Sequence, residues 1–190
     1  MEKITIRFVT TSDLSSSTIR RGEDGFWASH VEALTPDGFL FGAHADNGVA
    51  KRDRYYDKGQ WILEMFVDVP CEKEQQEDFY DFLDKQVGKP YDWPTIVAIA
   101  RGLLSGMASV DEGDEEESPS WICSALIVAA LIHAGIVKSA PASIRLTDPR
   151  DVLNMLGVLV LLGAPNKPPT LTPMPSRTPS LIESFDPFRG

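Results

Sequence analysis

The chain has 190 residues, 43% of them hydrophobic, which suits one domain with a sizeable core. Its formal charge of −10 gives a surface that repels nucleic acid and anionic membrane, so neither is an expected partner. Two cysteines, Cys71 and Cys123, make no disulfide framework; with no Gly-rich phosphate loop, Cys-x-x-Cys pair or His-x-x-x-His set, no cofactor, nucleotide or metal is expected.

Lys3 to Thr10 alternates Ile, Val and Phe with polar residues and predicts a strand. Thr11 to Gly25 is rich in Ser, Thr, Asp and Gly, which is loop chemistry. Ala28–Leu34 and Phe39–Ala43, two short apolar runs around Thr35-Pro36-Asp37-Gly38, predict a hairpin. Trp61–Val69 is a further strand, ended by Pro70. Glu72–Val87 is an amphipathic helix with Phe79, Phe82, Leu83 and Val87 on one stripe, stopped by Gly88-Lys89-Pro90. Pro94 suits the first turn of a second helix through Ile96, Ile99, Leu103 and Leu104.

The run Asp111-Glu112-Gly113-Asp114-Glu115-Glu116-Glu117 reads as a solvated loop, because a calcium loop alternates carboxylates with spacers in a frame this run lacks. The helix after it opens at Cys123 and ends at Ala134-Gly135, with His133 in a structural place at its C-terminus. Cys71, at a strand-to-helix junction, is also read as structural. Thr147-Asp148-Pro149 caps a short helix, Arg150–Met155, and Val158–Leu162 is the last strand. The elements make an α+β domain over residues 1–163. Residues 164–190, with Pro165, Pro168, Pro169, Pro173, Pro175 and Pro179, form an extended tail whose Phe185 and Phe188 are suited to a pocket on a protein partner or neighbouring subunit.

The N-terminus lacks the apolar stretch of a signal peptide, and Ile122–Val137 is too short to span a bilayer. The expectation is a protein made in the cytoplasm, with no membrane span.

Cys123 carries the chemistry. A thiol in the first turn of a helix meets a field that favours its anion, which lowers its pKa from about 8.5 toward neutrality. A thiolate nucleophile needs an imidazole partner, and His30 lies upstream in the strand-like run Trp27-Ala28-Ser29-His30-Val31.

The order of Ser29-His30-Val31, the next strand, Tyr91-Asp92 and Trp121-Ile122-Cys123-Ser124 resembles the circularly permuted papain-like cysteine hydrolases, relatives of NlpC-type cell-wall endopeptidases and YiiX-like proteins, over roughly residues 26 to 137. The resemblance implies a small antiparallel sheet packed against the helix that carries the nucleophile. It implies Cys123 as nucleophile, His30 as base and acid, and His44 as the residue orienting the imidazole, with Asp46 as the alternative on the same strand. Tyr91 and Asp92 match the family's Tyr-Asp motif and, with Trp121 and Ser124, are expected near substrate. The family often has Glu after Cys-Ser, where this chain has Ala125. The implied activity is cleavage of an amide bond through a Cys thioester, with a peptidoglycan peptide as substrate. A cell-wall hydrolase without a signal peptide fits a phage virion or tail component. Alternatives are a non-catalytic assembly protein that keeps the fold, and an acyltransferase, since a thioester is also resolved by an amine or alcohol.

Overall fold

In the first strand, β1 (Glu2–Thr11), Ile4, Ile6 and Phe8 form one buried row, and Arg7 and Val9 on the opposite row are buried as well. Covering on both sides fits a central position, and β1 pairs antiparallel with two neighbours. The structure is a computed structural model and describes residues 2–12, 26–100, 118–140 and 143–163. The expected loop after Ser12, the later part of the second helix, the acidic run and the Pro-rich tail lie outside them.

The other strands are β2 (His30–Leu34), β3 (Leu40–His44), β4 (Gly48–Arg52) and β5 (Trp61–Cys71), giving one antiparallel sheet in the order β4-β3-β2-β1-β5. The Thr35–Gly38 turn closes the expected hairpin, with Ala33 opposite Phe41 and Leu34 opposite Leu40. β4, polar at Lys51 and Arg52, has no counterpart among the elements expected from the sequence. Pro70 does not end β5, as expected, but lies within it opposite Lys3. As an edge strand β5 has a side with no ladder to serve, so a residue without an N–H is tolerated there.

Helix α1 (Lys73–Lys85) begins where the Glu72 N–H donates to Gln75 Oε1 at 3.1 Å, and buries Phe79, Phe82 and Leu83. Val87, expected on the same stripe, falls beyond the helix end and is exposed. The chain turns at Gly88, whose φ of 86° suits glycine. Helix α2 (Trp93–Ala100) starts at the Tyr-Asp motif, and α3 (Cys123–His133) is buried along nearly its whole length. α3 packs on α1 and on β2 and β3. After a 3-10 turn at Ile144–Leu146, α4 runs from Pro149 to Gly163. The expected short helix and final strand are therefore one helix. A continuous apolar run such as Val158–Leu162 carries no period that separates the two readings.

The fold is α+β, a five-stranded antiparallel sheet with several helices. Among the described residues no helix is long and apolar enough to cross a membrane. A line of backbone bonds sets α3 against the sheet. Val49 N–H donates to Lys89 O at 2.9 Å, Trp121 N–H to Pro90 O at 3.1 Å and Asp92 N–H to Trp121 O at 3.0 Å. Gly48 is required in this line, because a Cβ there would strike the Lys89 carbonyl and its φ is 66°.

Candidate active site

β-pairing assembles most of the site. His30 and Glu32, two apart on β2, share one face of the sheet. Arg7 is directly opposite Glu32, and Val9 opposite His30. His44 ends β3 with its ring edge-on to that of His30, centroids 4.4 Å apart. Gly42 leaves the room Glu32 needs, since a Cβ on it would lie 2.8 Å from Glu32 Cβ.

Cys123 enters from the other element. Ile122 precedes α3 in extended conformation and offers no side-chain cap to the first-turn N–H groups. The Cys123 sulfur lies close to His30 and to the Val31 and Ser124 N–H groups, all of which favour its anion. Burial alone would push the thiol up, but the His30 charge and these donors outweigh it and pull the pKa below that of an ordinary thiol. Burial would likewise push the His30 imidazole down, yet the Cys123 thiolate and the Glu32 carboxylate together hold it up to about 10. The two shifts run in opposite directions, each favouring the charged form of its group.

Behind His30 stands Glu32, fully buried, with Oε2 3.6 Å from His30 Nε2. Burial opposes the ionised carboxyl, but His30 and Arg7 overcome it and hold its pKa down to about 2. Arg7, itself 0% exposed, donates to Glu32 Oε1 at 2.6 Å, to Asp57 Oδ2 at 2.9 Å and to Glu64 Oε1 at 2.5 Å. Glu64 is nonetheless pushed up, because burial and neighbouring Asp57 outweigh the guanidinium. The guanidinium also lies over the Trp61 ring.

The expected residues fall into place unequally. Cys123 and His30 are together. His44 touches His30, but its Nε2 bonds the Tyr56 hydroxyl and its Nδ1 is 3.5 Å from Asp46 Oδ1. Burial and the positive charges of His30 and Arg52 keep His44 neutral, below its ordinary pKa. The carboxylate facing His30 is therefore Glu32, not a residue of the next strand. Asp46 lies in the β3–β4 turn, outside both strands, with its side chain 69% exposed and beside His44 rather than His30.

Trp121 and Ser124, expected near substrate, are buried and engaged within the protein. Trp121 Nε1 donates to Gln86 Oε1 at 3.0 Å, and Ser124 Oγ to Thr147 O at 2.6 Å. Both anchor the start of α3. Asp92 is also mostly buried, and its Oδ1 accepts from the Thr95 N–H at 3.2 Å, an N-terminal cap on α2. Tyr91 is half-buried against the exposed Trp93, centroids 5.4 Å apart, and Trp93 Nε1 donates to Ala45 O beside His44. Ala125 is 1% exposed in the core, where a Glu would need a partner.

Glu32, Arg7, Asp57, Glu64 and Tyr56 were not named from sequence. A signal exists for two of them: Arg7 is flanked by Ile6 and Phe8, and Glu32 by Val31 and Ala33, opposite charges each set between apolar neighbours. His30, Glu32 and His44 present ligand atoms within 4.8 Å of one another.

No family model matches the chain, and no curated protein matches it. Among solved structures the chain is similar to the crystal structure of metalloprotein yiiX from Escherichia coli O157:H7, DUF1105, at 16% identity and a TM-score of 0.44, covering 81% of this chain and 92% of that one.

Proposed function

We propose that the chain is a cysteine hydrolase of amide bonds, of the circularly permuted papain-like kind. The observation that carries the reading is Cys123 in the first turn of α3 with His30 close to its sulfur and the buried Glu32 behind it. The Cys123 thiolate attacks the carbonyl carbon, and the oxyanion develops beside the backbone N–H groups at the helix start. His30 delivers its proton to the leaving amine as the C–N bond breaks, leaving a thioester. Water then attacks the thioester, gives a proton to His30 and releases the acid and the thiolate. Glu32, held by Arg7, fixes the imidazole and stabilises its cation, the part an orienting carboxylate plays in a triad.

The substrate that goes with the resemblance is a peptide linkage of peptidoglycan, and the setting a phage virion or tail. A zymogram on purified peptidoglycan tests it. Clearing by the wild-type chain and none by Cys123→Ala is the expected result, and equal clearing by both refutes the assignment of Cys123.

A further inference from the structure

Within the candidate site, two atoms are left over. His30 Nε2 and Glu32 Oε2 are buried, and neither has a hydrogen-bond partner among the described residues. They face one another across 3.6 Å. That is longer than an N–H···O hydrogen bond of about 2.7–3.2 Å. It is close to the separation of two ligands on one tetrahedral zinc ion, about 3.4 Å for metal–ligand bonds near 2.1 Å.

A third donor completes the set. His44 supplies the third ligand atom, one from each of His30, Glu32 and His44 lying within 4.8 Å of the others, and an ion taken by its Nε2 would displace the Tyr56 hydroxyl that meets that nitrogen. Its Asp46 neighbour at Nδ1 is the kind of carboxylate that commonly steadies a metal-bound histidine. Arg7 already fixes Glu32 through Oε1, which leaves Oε2 aimed at the gap. The His30 and His44 side chains are 14% and 25% exposed, so the cluster lies close to the surface while Glu32 stays dry. Three carboxylates gather around the Arg7 guanidinium, and Arg52 is the further fixed cation that His44 meets.

We propose that His30, Glu32 and His44 form a binding site for a divalent zinc-class cation, and that the bound ion switches the thiol off. Two imidazoles and one carboxylate suit zinc far better than magnesium or calcium, which prefer all-oxygen sets. On binding, the His30 ring proton leaves to solvent and Nε2 coordinates the ion. His30 then no longer accepts or delivers a proton for Cys123. The binding stands on the geometry of the three donors alone; its inhibitory consequence rests on the thiolate chemistry proposed above.

The test uses the full chain stripped with EDTA and then freed of chelator, titrated with Zn2+ against a chromophoric competitor. The wild type and Cys123→Ala are expected to bind one ion each at micromolar concentration, and Glu32→Gln and His44→Gln to bind at least about tenfold more weakly. His44 lies outside the Arg7 cluster, so His44→Gln decides the matter even where Glu32→Gln fails to fold. No binding by the wild type, unchanged affinity in His44→Gln, or loss of binding in Cys123→Ala would overturn the site. In a second measurement, one equivalent of zinc is expected to suppress iodoacetamide labelling of Cys123 in the wild type and not in His44→Gln. Labelling unaffected by zinc that has bound overturns the switch. Should Cys123 of the metal-free chain react no faster than an ordinary thiol while zinc still binds, the hydrolase reading fails and the metal site stands.

Discussion

Replacing Glu32 by Gln removes one charge and almost no volume, so its cost reads the buried ion-pair network directly. In the fold the Glu32 carboxyl is held to about 2, against an ordinary value of 4.5. That displacement corresponds to about 3 kcal/mol of stability at neutral pH. It agrees with the about 3–5 kcal/mol expected for removing one partner from a buried pair. Because the folded value is depressed, the contribution is complete above pH 4.5 and is lost as pH falls through 2. At pH 3 roughly 1.5 kcal/mol remains. Urea unfolding in EDTA, followed by tryptophan fluorescence, is the assay. Glu32→Gln is expected to be less stable than wild type by about 3 kcal/mol at pH 7, with the gap at least halved at pH 3. A difference under about 0.5 kcal/mol at pH 7, in the range of an ordinary surface substitution, would refute the reasoning. So would a gap that does not shrink on acidification.

Two further substitutions separate scaffold from chemistry. Ser124→Ala removes the bond to Thr147 O at 2.6 Å inside the core, so it is expected to lower stability by about 1–2 kcal/mol in urea titration. The rate of Cys123 alkylation should stay within a factor of two or so, since only the backbone N–H of residue 124 faces the sulfur; a large fall would return the hydroxyl to the site. Gly42→Ala places a methyl 2.8 Å from Glu32 Cβ, between two paired strands with little room to part. It is expected to cost about 1–3 kcal/mol and to slow Cys123 alkylation at pH 6 by displacing Glu32, and a neutral effect on both would show that the strands yield.

How much of this was legible beforehand follows from the range of each interaction. The hairpin from His30 to His44 is written locally, in two apolar runs and a Pro-Asp-Gly turn, and the structure keeps it. The place of Cys123 at a helix start was equally local, read from the apolar run that begins there. The last helix is not legible as one element because Val158–Leu162 gives no period. The orienting residue was sought on the next strand, by resemblance, while Glu32 sat two residues from His30 on the same face, a spacing the alternation of a strand makes neighbourly. Arg7, Asp57 and Glu64 meet only through the pairing of β1 with β2 and β5 and the turn before β5. A cluster drawn from positions so far apart depends on strand order, which no local pattern encodes.

The central claim is that Cys123 is a thiolate paired with the His30 imidazolium at neutral pH. It is tested most directly by the rate of iodoacetamide labelling of Cys123 between pH 5 and pH 9 in EDTA, read by peptide mass spectrometry. Cys71 serves as the internal reference, since burial raises its thiol above the ordinary value. Expected is rapid labelling of Cys123 already at pH 6, far ahead of Cys71, and a shift of the whole profile toward that of an ordinary thiol in His30→Ala. Labelling of Cys123 that rises only above pH 8, or that is indifferent to His30→Ala, would contradict it.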